Sequence, residues 1–285
     1  MKKIFKFLFT LLVFVLFQNT TFAIEDIQSY CPAEPYPVGG KVASSISKIT
    51  GTNWLFTNIA ESRVKYALKK ETNSNFDVKM KAFGGKNLIE GKFKSLNITS
   101  DNVKYEGFYV SDVKAYTVCD YNQVKFNSYD FTFPENLVLK YEGKITQNDL
   151  NKSILRPEYR EKINKFNKSF ANILSMKVYE PQFTISGNRI YMDFKVLLPF
   201  IGTKTISSDF SIKADNGQIV VADFNISNAL SFSSDNILSI LNIFNPLNFD
   251  VSLDENDKAL NVVQNVNVVN NEIVFDGIFI VPKNV

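Results

Sequence analysis

Histidine is absent from this chain, and cysteine occurs twice, as Cys31 and Cys119. The first fact removes Ser-His-Asp and Cys-His nucleophilic catalysis, and with them every histidine-bearing zinc site. Two cysteines without a Cys-x-x-Cys pair cannot build a structural zinc centre. No G-x-G-x-x-G, Walker or G-x-S-x-G sequence is present to cradle a phosphate or raise a nucleophile. The catalytic chemistry left is a carboxylate pair acting on a glycoside, which needs two acids about 5 to 9.5 Å apart in a cleft. Asp254-Glu255-Asn256-Asp257 resembles a calcium loop only in charge. It lacks the glycine at the sixth position and a spaced terminal glutamate, and reads as a solvated turn. The expectation is a protein without catalysis, metal or cofactor.

The compartment follows from the N-terminus. Lys2, Lys3 and Lys6 precede an apolar run from Phe7 to Phe17, and Thr21-Phe22-Ala23 places small residues where a signal peptidase cuts. Eleven residues rise about 16 Å as a helix, half of a ~30 Å hydrocarbon core. Residues 1–23 therefore read as a cleaved secretory signal, with an uncleaved inner-membrane tether as the alternative. Without Lys2, Lys3 and Lys6, 29 basic residues face 29 acidic ones. A neutral exported domain has no field for nucleic acid. Outside the cytoplasm, a Cys31–Cys119 disulfide and two separate thiols both fit the composition.

The elements that must position any site begin after a Pro/Gly linker over residues 24–43, which leaves 44–285 as one domain. Trp54, Leu55, Ile59, Val64 and Leu68 recur near a 3.6-residue period and predict a helix opening at Thr52. From Asp77 the period becomes two. Ile89, Gly91 and Phe93 alternate with charged neighbours, and Leu96, Ile98, Val103, Phe108, Val110, Leu137, Leu139, Tyr141 and Ile145 continue short antiparallel strands. Thr146 and Asp149 form a capping box with aspartate in place of glutamate. The helix restarts at Pro157, and Tyr159, Ile163, Phe166, Phe170, Ile173 and Leu174 make an apolar stripe about 23 Å long. Lys162, Lys165 and Lys168 lie off it.

Three hairpins follow, turning at Ser186-Gly187-Asn188, Asp215-Asn216-Gly217 and Asn270-Asn271, residues that accept the positive φ a tight hairpin demands. A last helix is predicted from Ser233 to Phe244, stopping at Asn245-Pro246. This outline is α+β. Two late strands are apolar on both faces: Ile190, Met192, Phe194, Val196 and Leu198 are backed by Tyr191 and Leu197, while Phe279 and Val281 are backed by Ile278 and Ile280. Such strands need cover on both sides, from a helix, a second sheet or a ligand.

Leu88-Ile89-Glu90-Gly91-Lys92-Phe93-Lys94-Ser95-Leu96, with Val103-Lys104-Tyr105-Glu106-Gly107-Phe108 and Val110-Ser111-Asp112-Val113, resembles the opening signature of the bacterial LmeA-type phospholipid-binding family. Ile145-Thr146-Gln147-Asn148-Asp149-Leu150-Asn151 is similar to that family's next landmark, and Phe244-Asn245-Pro246-Leu247 also fits. The similarity covers residues 46–282. It implies a TULIP-like lipid-binding roll, in which a long curved antiparallel meander wraps a central amphipathic helix. It implies an exported, non-catalytic phospholipid-binding protein of the periplasm or cell envelope, touching membrane surfaces transiently. The family's lipid contacts have no motif to transfer. On physical grounds the acyl wall is expected at Phe166, Phe170, Ile173, Met192, Phe194 and Val196, and headgroup contact at Lys162, Lys165 and Lys168. The competing expectation is a secreted β-rich structural or adhesion module with a filled core, bound to envelope polymer or protein.

Overall fold

The computed structural model describes residues 27–32, 36, 38, 52–105, 108–126, 131–155, 157–174, 177–198, 200, 202–227 and 260–283. The signal sequence, the helix predicted over 233–244 and the Asp254–Asp257 cluster lie outside the described residues. A 3-10 turn at Ile27–Tyr30 precedes α1 (Thr52–Thr72), β1 (Asp77–Ala82), α2 (Gly85–Ile89), β2 (Lys92–Tyr105), β3 (Phe108–Thr117), β4 (Asn122–Gln123), β5 (Lys125–Phe126), β6 (Phe131–Thr132) and β7 (Leu137–Thr146). There follow α3 (Gln147–Ser153), α4 (Pro157–Leu174), β8 (Lys177–Ser186), β9 (Arg189–Leu198), β10 (Gly202–Asp215), β11 (Gln218–Ser227), β12 (Leu260–Val269) and β13 (Glu272–Val281). The class is α+β, dominated by antiparallel strand.

The strands form two main sheets. The first has the order β1-β2-β3-β7-β13-β12, with β4 added on β2, and the second has the order β11-β10-β9-β8. Where sequence alternation is cleanest, burial alternates with it. β7 buries Leu139, Tyr141, Gly143 and Ile145 between half-buried Lys140, Glu142 and Lys144, the two-residue period of a pleated strand. The hairpins turn where expected. Asn216 and Gly217 take φ of 51° and 76°, and Asn270 and Asn271 take 53° and 62°, as a two-residue type I′ turn requires.

Glycines in β7 and β13 let these strands carry aromatics across one another. Tyr141 sits opposite Gly277, and Gly143 sits opposite Phe275. A Cβ at Gly277 would stand 2.1 Å from the Tyr141 hydroxyl and 2.3 Å from the Val262 carbonyl, and one at Gly143 would stand 2.5 Å from the Phe275 ring. Each aromatic thus lies over the facing glycine. Tyr141 passes over Gly277 and donates its hydroxyl to Asn261 Oδ1 on β12, at 3.0 Å. Burial holds the Tyr141 phenol proton far above its ordinary range.

The first helix buries only the C-terminal part of its predicted stripe, Val64 and Leu68. Val64, Ala67 and Leu68 are buried, with half-buried Phe56 and Ala60 packed against the core, whereas Trp54, Leu55 and Ile59 face outward. The buried set repeats at i, i+4, i+8, i+11 and i+12, one continuous stripe, and the outward residues fall off it. Glu61 further ties this helix to the sheet edge by accepting the Met80 amide of β1 at 2.7 Å. The predicted strand through Ile89 is also corrected. Ile89 ends the short α2 and is exposed, and the strand begins at Lys92. Gly91 makes that switch at φ 76°, where a Cβ would fall 2.1 Å from the Val124 carbonyl.

Within the segment read as a linker, Ile27–Cys31 are docked on the body. Cys31 and Cys119 form a disulfide, and Asn136 Nδ2 donates to the Tyr30 carbonyl at 3.0 Å. Ile27, Tyr30 and Cys31 cover a small second core of Cys119, Val138, Ile278 and Ile280. The back face of β13, one of the two doubly apolar strands, is covered in this way by the chain's own start.

Candidate functional site

The inner face of the second sheet is lined by Val178, Phe183 and Ile185 from β8, Ile190, Met192, Phe194 and Val196 from β9, and Ile206, Phe210 and Ile212 from β10, all buried. β9 and β10 supply alternate residues, the two-residue period of a pleated strand, while in β8 an irregularity at Tyr179–Gln182 shifts the register so that Val178 and Phe183 share the face. These residues share one core with the first sheet. The predicted wall residues Met192, Phe194 and Val196 are within it, each 1% exposed.

Helices α3 and α4 join this sheet along β8 through side-chain amides. Asn151 of α3 accepts from the Phe183 amide and donates to the Phe183 carbonyl, both at 2.8 Å. Asn167 of α4 does the same to Val178, at 2.7 and 2.9 Å, and Gln147 accepts from the Ile185 amide at 3.0 Å. A carboxamide presents one donor and one acceptor side by side, as a peptide unit does. Three of them therefore satisfy the outer backbone groups of an edge strand that would otherwise recruit another chain. α3 is itself anchored to the first sheet. Its capping box is formed by Thr146 and Asp149, Asp149 also accepts from the Ser111 hydroxyl at 2.8 Å, and Ser153 accepts the Tyr109 amide at 3.0 Å. This seven-residue helix thus bridges β3 of the first sheet and β8 of the second.

On α4, Tyr159 is buried and Ile163 packs against the core. The side chains of Phe166, Phe170, Ile173 and Lys162 lie outside the described residues. Lys165 and Lys168 are exposed, and Lys165 pairs with Glu161 one turn back at 2.9 Å. That pair holds the Glu161 carboxyl below its ordinary range. The two described headgroup candidates are thus on the solvent side of the helix, apart from the buried Met192, Phe194 and Val196.

Sequence reasoning missed two further groupings. Tyr36, Phe83 and Tyr121 form a ring cluster, with Phe83 stacked on Tyr121 at 5.3 Å and Tyr36 edge-on to both. Lys92 and Lys94 lie 5.3 and 5.4 Å from the Tyr36 and Phe83 ring centres. The Tyr36 hydroxyl donates to the Asn122 carbonyl at 2.5 Å, and burial pushes its pKa up to about 12. Only chain reversal brings these residues together, and no spacing signals it. The second grouping is the β9–β10 turn, where Phe200 is wholly exposed at φ 63°. Its signal was legible: Leu197 to Ile201 is an uninterrupted apolar run at a turn, where polar residues are the rule.

Among the described residues, no helix is long and apolar enough to cross a membrane, and no group of three or more metal-ligating side chains occurs. Comparison of the chain with family models, with curated proteins and with solved structures finds no match.

Proposed function

We propose that this is an exported, non-catalytic protein that binds phospholipid in the bacterial envelope, with the second sheet curving around α4 as a TULIP-like roll. One observation carries the reading. The buried apolar face of β8–β10 is bordered along β8 by an amphipathic helix whose Asn167 side chain, and no strand ladder, bonds the Val178 backbone. An acyl chain entering such a seam displaces side-chain contacts and breaks no strand ladder, so the cost of opening is small beside that of unfolding. The resemblance to the LmeA-type family supports the same ligand class. The test is native mass spectrometry of the purified protein, with uptake of phospholipid from vesicles. Co-purified lipid is expected. Its absence, together with no uptake, refutes the reading.

A second reading is favoured by the packing itself. Met192, Phe194 and Val196 are 1% exposed, the state of a filled core, which suits a structural or adhesion module binding envelope polymer or protein. That reading requires lipid-free protein and capture of a glycan or protein partner.

A further inference from the structure

We propose that the β9–β10 hairpin tip is a membrane-docking element, which places Phe200 in the interfacial layer of an anionic lipid bilayer. Phe200 is 109% exposed, and at φ 63° it occupies a backbone region that bulky L-residues avoid. A phenylalanine that is both fully hydrated and held left-handed does nothing for folding, and such local costs collect at functional sites. Leu197 on the outward face is 37% exposed beside it. β9 is the second doubly apolar strand, and unlike β13 its outward face has no covering segment among the described residues.

The charges around the tip identify the occupant. Lys177 lies on β8 directly opposite Leu197, and Lys195 lies opposite Tyr179 one row further back. Lys204 pairs with Val196 and so approaches from the other face of the sheet. All three lysines are exposed, and they ring the apolar tip from both faces. The nearest described acid on the outward face of β9 is Asp193, behind Lys195. Tyr179 and Tyr191 extend back along that face, 36% and 39% exposed. An apolar point and a cationic collar with Tyr179 in its own row match, in that order, the acyl boundary and the anionic headgroup layer of a bilayer, where amphipathic aromatic rings also sit. A protein partner would supply acidic side chains to such a collar but has no need of a protruding phenylalanine at left-handed φ. The placement also suits lipid exchange, because α4 ends at Leu174, three residues before Lys177, at the same end of the sheet as the tip.

The experiment is co-flotation of the purified protein with equimolar phosphatidylglycerol–phosphatidylcholine vesicles and with pure phosphatidylcholine vesicles. Asparagine tolerates left-handed φ, so Phe200→Asn removes the ring without adding strain, and an unchanged thermal melt checks that it folds. The wild type is expected to float with the anionic vesicles, and Phe200→Asn to lower that partitioning about tenfold or more. Lys177→Gln and Lys204→Gln should each cost about fivefold on anionic vesicles alone, an effect that high salt erases. Phe200→Trp in a Trp54→Phe background should shift its emission to the blue on vesicle addition. Equal flotation of wild type and Phe200→Asn overturns the proposal. So does no flotation at all, or Phe200-dependent self-association without vesicle binding. Docking stands apart from cargo binding: flotation without lipid uptake refutes the carrier reading alone, and full-rate uptake by Phe200→Asn refutes docking alone.

Discussion

Breaking the Cys31–Cys119 bond tests how the N-terminal segment is held. The two cysteines are 88 residues apart in sequence. Chain-entropy arithmetic for a loop of that length gives a loss of about 15 cal/mol/K, or about 4.6 kcal/mol at 25 °C, from removing the cross-link. Bonds of this kind deliver about 2–4 kcal/mol in practice, because the unfolded chain is not random. The Ile27 and Tyr30 side chains retain their apolar contact with Ile278 and Ile280 when the bond is cut, so the lower half of that range is expected for the native fold. Urea unfolding of the oxidised protein, the reduced protein and the Cys31→Ala/Cys119→Ala double variant provides the assay. Stability should fall by about 2–3 kcal/mol in both altered forms, with a steeper m-value because the uncrosslinked chain exposes more surface on unfolding. A loss under about 1 kcal/mol in both forms would refute the reasoning, since it would mean that the cross-link closes no loop of consequence.

Gly277→Ala should cost about 3 kcal/mol or more, because the new methyl meets the Val262 backbone as well as the Tyr141 hydroxyl; thermal unfolding reads it directly. Asn151→Ala strips both partners from the Phe183 peptide groups and should destabilise by about 2 kcal/mol. It also reopens the β8 edge, so concentration-dependent association should appear in size-exclusion runs. If the seam beside β8 admits lipid, Asn167→Ala should raise the rate of phospholipid uptake from vesicles while costing only about 1–2 kcal/mol of stability. A variant that unfolds, or takes up lipid no faster, counts against that route. Tyr36 is held protonated by burial up to about pH 12 in the fold, against about 10 for the unfolded phenol. Its contribution is therefore complete below pH 10 and lost as pH climbs from 10 to 12, and Tyr36→Phe should flatten that part of the stability–pH curve.

Helix α3 ties the second sheet to the first from both of its sides. Ser153 and Asp149 fix the helix to β3 while Gln147 and Asn151 grip β8. The sheets also meet at Val263, whose amide donates to the Gly217 carbonyl at 2.9 Å, and at Gly187, whose amide donates to Asn271 Oδ1 at 3.1 Å. Both of these contacts lie at hairpin turns. Positions that look like generic turn residues in the chain therefore also serve as inter-sheet ties.

Local features were legible in the sequence because local geometry dictates them. The capping box at Thr146 and Asp149, the Asn216-Gly217 and Asn270-Asn271 turns and the alternation through β7 and β9 follow from hydrogen-bond reach, permitted φ and a two-residue period, all within a few residues. Cover, pairing and edge protection were settled only in three dimensions. β7 lies beside β13 although Ile145 and Ile273 are far apart in the chain, and no short-range signal encodes that neighbour. In α1, 3.6-residue periodicity located the helix and set Val64 and Leu68 inward, but only the fold turned Trp54, Leu55 and Ile59 to solvent. For the candidate site, alternation marked Met192, Phe194 and Val196 as one face. Only the fold placed them in the interior, put Lys165 on the solvent side of its helix, covered the back of β13 with a disulfide-held segment and left the tip at Phe200 bare. Periodicity records which residues share a side, whereas burial depends on what the rest of the chain brings against that side.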